Sequence, residues 1–393
     1  MRGFGKWVGR LLLLIVVVGG IGFFGFLPPY VEKTRNKVFE HASYAVTDTA
    51  NALHADMIVG DWHADSLLWS RDLTERGNRG QVDIPRLQEG NVALQVFTAV
   101  TKSPAGQNYN ENSDDAFDNI TLLAIGQLWP MDTWDSLLHR ALYQAEKLHE
   151  FEEDAPDQLK IIRTRSDLEE VLEARANGSK IIGGLLGIEG AHPLEGKLEN
   201  MDALEQAGHR VIGLQHFFDN ALGGSLHGQS NTGLTDFGRA VVAEVSQRGM
   251  VLDLAHSSPQ VAWDTLEITD MPLIVSHTGL HSNCPVKRNF KDDLMKAIAS
   301  TGGVIGIGYW AEVSCNDFAP DGIAKMIKAS IDVLGEDHVS LGSDYDGSVQ
   351  TKFDTSELAA LTSALLDAGV TEPQIRKVMG ENMVRVLRAR LSD

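Results

Sequence analysis

Met57-Ile58-Val59-Gly60-Asp61-Trp62-His63-Ala64-Asp65 is a short apolar run that ends abruptly in residues able to bind a cation. The same grammar recurs down the chain. Candidate strands lie at Met57 to Gly60, Val92 to Phe97, Ile181 to Gly187, Val211 to Gln215, Val251 to Leu254, Leu273 to Val275, Val304 to Ile307 and Val339 to Leu341. Most are apolar on consecutive residues, which is how parallel strands covered on both faces read. Helical periodicity fills many of the intervals, for example Phe237 to Gln247, Leu294 to Ala299 and Ile323 to Leu334. Eight strand-helix units predict an α/β fold, a closed (β/α)8 barrel of the TIM type; the pattern alone also admits an open doubly wound sheet. Thr101 to Asn119 and Ala221 to Gly233 read as long loops after the second and fourth strands. Pro373 to Leu391 reads as a terminal helix with a basic last turn.

Composition sets the class. Of 393 residues, 43% are hydrophobic and 22% charged, which excludes a disordered or disulfide-stapled chain. Acidic residues outnumber basic ones 54 to 34, a formal charge of −20 that argues against a nucleic-acid partner. The amino terminus is a separate object. Arg2, Lys6 and Arg10 precede an apolar run from Leu11 to Leu27, after which Pro28 and Pro29 are expected to stop any helix. At ~1.5 Å per residue such a run approaches the ~30 Å hydrocarbon core, so residues 1–30 read as a membrane anchor or signal-anchor, a transmembrane helix, with an uncleaved anchor favoured over a removed signal peptide and cleavage left open. Residues 31–56 read as a lead-in and 57–393 as the barrel. The basic flank should stay in the cytoplasm, placing the barrel on the periplasmic or extracellular side. Gly20-Ile21-Gly22-Phe23-Phe24-Gly25 matches a dinucleotide fingerprint only by chance, because no strand-turn-helix surrounds it. Cys284 and Cys315 can pair in an oxidising compartment, and their spacing leaves that open.

The strand ends carry the chemistry. After the first run come His63 and Asp65, after the third Glu189, after the fourth His216, after the fifth His256, after the sixth His277 and after the eighth Asp344 and Asp346. In a barrel these carboxyl ends converge on one face. Three imidazoles with two carboxylates suit a borderline divalent metal, zinc first, and a carboxylate can bridge two ions that acidify one water. A lone histidine at a strand end is usually structural; recurrence at successive ends favours a metal cluster, since burying so many ionisable groups without a cation is costly. His54, His139, His149 and His209 read as surface residues and His338 as lying on the opposite face; His192 and His281 lie just beyond strand ends, where a supporting role is open but is the minority reading. Trp62, Trp69, Tyr309 and Trp310 either line a pocket or pack, with Tyr309 taken as a substrate contact. No His-Glu-x-x-His helix and no Gly-x-Ser-x-Gly elbow is present. No lysine ends the fourth strand, so the bridging ligand is expected to be Glu189.

His63-Ala64-Asp65, Gly187-Ile188-Glu189-Gly190, Asp253-Leu254-Ala255-His256-Ser257, Val275-Ser276-His277, Arg288-Asn289 and Gly342-Ser343-Asp344-Tyr345-Asp346-Gly347 occur in that order. The ordered set resembles the membrane (renal) dipeptidase family from about Met57 to Asn382. The resemblance implies a metal-dependent hydrolase barrel with two zinc ions. It implies that His63 and Asp65 hold one ion, His256 and His277 the other, and that Glu189 bridges them. It further implies that His216 steadies the developing oxyanion, that Arg288 takes the substrate's terminal carboxylate, and that Asp344 moves the proton, with Asp346 as second choice. The segment Phe217 to Gly224 departs from the family's usual polar sequence, which leaves substrate preference open. Hydrolysis of free dipeptides is the activity so implied. An amidohydrolase of N-acyl amino acids or lactams, or an inactive membrane-tethered binding protein, are the alternatives, and a homodimer stays open.

Overall fold

The computed structural model describes residues 2–393. Nine strands form one parallel sheet: β1 (Val59–Ala64), β2 (Val92–Val100), β3 (Leu159–Ile161), β4 (Ile182–Glu189), β5 (His209–Gly213), β6 (Val251–Asp253), β7 (Leu273–Thr278), β8 (Val304–Ile307) and β9 (Val339–Leu341). Eight of them close a ring. β1 pairs with both β2 and β9, and β2 pairs with β4 through Leu94↔Gly183 to Val100↔Glu189. The remaining neighbours follow chain order from β4 to β9. The result is the (β/α)8 barrel expected from the consecutive apolar runs. The three residues of β3 pair only with the start of β4, ahead of where β5 begins.

The buried runs explain the closure. Every residue of β1, β2 and β4 is buried, because helices cover the outside and side chains fill the inside. Trp62, Val96, Leu185, Val211, Val251, Ile274 and Val304 form one cluster with Met383, Val386 and Leu387 of the terminal helix Asn382–Arg390. One end of the barrel is thereby plugged by apolar packing, and the polar site lies at the other. Gly183 in β4 shows how tight the wall is: a Cβ there would lie 2.4 Å from Ile162 Cδ1.

Pro28 and Pro29 do not stop the amino-terminal helix. Helix Arg2–Gly20 continues through wider turns at Ile21–Phe26 into Leu27–Arg35. The prolines sit in the first turn of that last segment, where a missing N–H is tolerated. The run Lys6–Arg35 is long and apolar enough to cross a membrane, and its most apolar stretch is almost unburied. Its end is fixed to the barrel. Glu32, 1% exposed, pairs with Arg71 and with Arg79, and Arg71 also pairs with Asp346. Backbone bonds Phe39 N to Thr351 O and Thr351 N to Lys37 O continue the attachment.

Candidate active site

The barrel places the ligand-type residues at the carboxyl ends of its strands. His63 is in β1 and Asp65 follows it; Glu189 ends β4; His277 is in β7; His216, His256 and Asp344 follow β5, β6 and β9. These side chains meet. Glu189 Oε1 lies 3.5 Å from His63 Nε2, 3.1 Å from His256 Nε2 and 3.4 Å from His277 Nε2. Glu189 Oε2 lies 3.0 Å from His216 Nε2. His63 Nε2 is 3.4 Å from Asp65 Oδ1 and 3.9 Å from Asp344 Oδ1. Three overlapping groups, His63 with Glu189 and His277, Glu189 with His216 and His256, and His63 with Asp65 and Asp344, are each compact enough to hold an ion.

The electrostatics fit a cation. Burial opposes charge on His63, yet the Asp65 and Glu189 carboxylates overcome it and pull its pKa up to about 10. Positive charge is what this cage demands. Burial, and next the Arg288 charge, hold His256 well below the usual imidazole range; burial and then His63 do the same to His277. Both rings therefore stay neutral and present lone pairs, with their Nε2 atoms 2.9 Å apart. Burial pushes Asp344 well above the usual carboxylate range, with Asp65 and Glu189 adding to it against His63. Burial would raise Glu189 too, but the imidazoles of His216 and His63 hold it well below. Nitrogen and oxygen donors crowded round one carboxylate fit a borderline divalent ion.

Surrounding residues aim the donors. Asp61 accepts from His63 N at 2.9 Å and from Ser343 N at 3.2 Å, tying β1 to the segment after β9. Asp253 accepts from Ser276 N at 2.8 Å and from its Oγ at 2.5 Å, and that Oγ lies 2.8 Å from His277 Nδ1. Thr98 Oγ1 donates to Asp65 Oδ1. Such contacts fix ring and carboxylate orientation. His256 and Asp344 have positive φ, +62° and +60°, strained backbone of the kind that clusters at active sites.

Arg288 is 2% exposed; its Nη2 donates to the His277 carbonyl at 2.7 Å and approaches His256 Nε2 at 3.3 Å. Its Nε finds no partner among the described residues. Trp310 lies against it at 5.8 Å and bonds the Tyr109 hydroxyl through Nε1 at 3.0 Å. A cavity of about 1040 Å³ reaches this region, lined there by Glu189, His216, Phe217, His256, Tyr109 and Asp344.

Several expectations need correction. Tyr309 is fully buried against Tyr345 and Phe353, at 5.5 and 5.1 Å, and its neighbour Trp310 faces the site instead. Asp346 turns away to Arg71, Ser66 and the Gln81 N–H. His54 and His209 are buried, not surface residues; His54 bonds Thr362 Oγ1 and the Gly90 carbonyl. His227 and Tyr109 went unread. They come from the two long loops, where His227 Nδ1 meets the Tyr109 carbonyl at 2.9 Å and its ring stacks on Phe217 at 4.8 Å. Those loops carry no periodic signal; the only sequence hint was their length. Cys284 and Cys315 form a disulfide beside the Arg288 loop, with Cα atoms 5.5 Å apart.

Comparison with known proteins places this arrangement. The family model for membrane dipeptidase, peptidase family M19, matches residues 47–392. Dipeptidase aclJ of Aspergillus oryzae is 28% identical over 347 residues, covering 83% of this chain and 76% of that protein. The solved dipeptidase AC, a metallo peptidase of the same family, is 26% identical with a TM-score of 0.72, covering 86% of this chain and 99% of its own. A metallo peptidase from Rhodobacter sphaeroides, liganded with a phosphinate mimic of the dipeptide L-Ala-D-Ala, is 25% identical with a TM-score of 0.69, covering 85% of this chain and 100% of its own. With the barrel, the converging ligand-type side chains and a family match over residues 47–392 of 393, the chain belongs to the membrane dipeptidase family of metal-dependent hydrolases.

Proposed function

We propose that this protein hydrolyses the peptide bond of free dipeptides, using two zinc ions. The observation that carries the reading is the single oxygen Glu189 Oε1 within 3.5 Å of nitrogens from His63, His256 and His277. His63 with Asp65 would hold one ion and His256 with His277 the other, Glu189 lying between them. When bound, the ions supply Lewis acidity and an acidified water. Arg288 would receive the substrate's terminal carboxylate through its planar fork, which limits substrate length. His216, whose Nδ1 is 3.3 Å from the Lys102 carbonyl, would steady charge developing on the scissile carbonyl oxygen. Asp344, at the edge of the cage, would take a proton from the attacking water and deliver it to the departing amine.

The domain reading follows: an anchor over residues 1–30, a lead-in over 31–56 and the barrel over 57–393. Arg2, Lys6 and Arg10 would keep the anchor's amino end cytoplasmic, with the barrel periplasmic or extracellular. The disulfide supports an oxidising compartment. The test is elemental analysis of the purified full chain together with dipeptide hydrolysis before and after chelation. About two zinc ions per chain and turnover lost with chelator are expected. Turnover that survives complete metal removal contradicts the reading.

A further inference from the structure

The cavity above the site has a second half that catalysis does not use. Its outer wall is built from the amino-terminal helix, through Phe23, Leu27, Pro28 and Val31, facing Ile120 and Leu123 of the helix Asn119–Gly126. These two helices are in direct contact, a Cβ on Gly126 falling 3.3 Å from Pro28 Cγ. The wall is therefore made by the same apolar segment that is able to cross a membrane. Its position is fixed, because Glu32 is buried in the Arg71 and Arg79 cluster one turn further on. Leu122 of the helix Asn119–Gly126 also lines the cavity, and Phe117, Leu128 and Met131, just before and after the same helix in the chain, are 58, 70 and 76% exposed. A wall formed by a segment able to cross a membrane belongs at a lipid surface. The cavity mouth then opens at the level of the bilayer interface.

The volume of about 1040 Å³ matches the upper end of pockets for drug-sized ligands, roughly 300–1,000 Å³. A dipeptide of small residues fills little of it. If the terminal carboxylate goes to buried Arg288, as the reading above has it, the amino-terminal residue of the substrate faces outward toward this wall. We propose that the outer half of the cavity is a subsite for a long apolar side chain on the amino-terminal residue of the dipeptide, entered from the lipid surface. The inference rests on the dipeptidase reading.

The test uses the full chain in lipid nanodiscs and two probes, Ala-Ala and a dipeptide of 2-aminododecanoic acid and alanine. The long-chain peptide is expected to show a kcat/KM at least tenfold above that of Ala-Ala. Leu123→Asp and Val31→Asp should each collapse that ratio toward one, with bound metal and circular dichroism reporting that the variants are folded. Ala-Ala turned over as well as the long-chain peptide removes the subsite and leaves the dipeptidase standing. If neither probe is hydrolysed, binding decides: tenfold tighter binding of the long-chain peptide, lost in Leu123→Asp, keeps the subsite while the peptidase reading falls. Equal binding of the two removes both.

Discussion

Glu189 is the side chain through which the cage holds together, since its two oxygens face four imidazoles. Glu189→Gln exchanges one of those oxygens for an amide that cannot coordinate as an anion. It should cost about a hundredfold or more in kcat/KM, some 3 kcal/mol, together with bound metal. Arg288→Ala should instead raise KM with kcat little changed, as removal of uniform binding does. Parallel kinetics and metal analysis check the pair; full metal content with full turnover in Glu189→Gln contradicts the assignment. A different residue contributes to acid stability. Burial lowers His209 to about 4, so its ring is neutral in the fold at neutral pH. Below pH ~6.5 the unfolded chain binds a proton there that the folded chain refuses until about pH 4. Stability therefore falls as pH drops through that window, by up to about 3 kcal/mol. Urea midpoints at pH 7 and pH 4.5 should differ less in His209→Gln than in the wild type; an equal difference would remove His209 as the cause.

At the scale of elements, the strand ends do the positioning and the helices hold them still. Asp61 and Asp253 are not donors in the cage but lock adjacent strand ends by accepting backbone N–H groups, which is why β1, β6, β7 and β9 converge with fixed register. The amino-terminal helix behaves the same way. Glu32 carries it into a buried ion cluster ending on Asp346, two residues from Asp344. Glu32→Ala would leave buried Arg71 with one partner fewer, a change that costs about 3 kcal/mol when a buried pair is broken. The expected result is a lower Tm and faster proteolysis between Asn36 and Thr47. An unchanged cleavage rate would mean the helix is held by its apolar contacts alone.

For the whole molecule, fold and site are coupled through charge. Asp65, Glu189 and Asp344 converge in a region shielded from water, and without a cation their mutual repulsion works against the barrel's closure. An ion present at a hundredfold its Kd stabilises the folded state by about 2.7 kcal/mol. Chelation should lower Tm by a few degrees, and re-addition of zinc should restore it; an unmoved Tm would show that the cage stands without the ion.

The sequence by itself determined a parallel α/β sheet and the strand-end residues His63, Asp65, Glu189, His256 and His277, because both are written locally, whereas closure of the sheet into a ring was decided by the pairings of β1 with β9 and of β2 with β4. A parallel strand buried on two faces must be continuously apolar, and the polar residue that ends it falls at the carboxyl face wherever the chain later goes. The terminal helix was legible for the same reason, from its periodicity. Which way a side chain turns once the strand is over was not. Tyr309 against Trp310, and Asp346 against Asp344, differ only in direction, and direction is set by Phe353 and Arg71, which are distant in sequence. Only the folded chain could bring His227 and Tyr109 from two irregular loops to the site, or bury His54 and His209. Only the folded chain could carry the amino-terminal helix past its prolines to the cavity mouth, because those outcomes depend on contacts that no local pattern encodes.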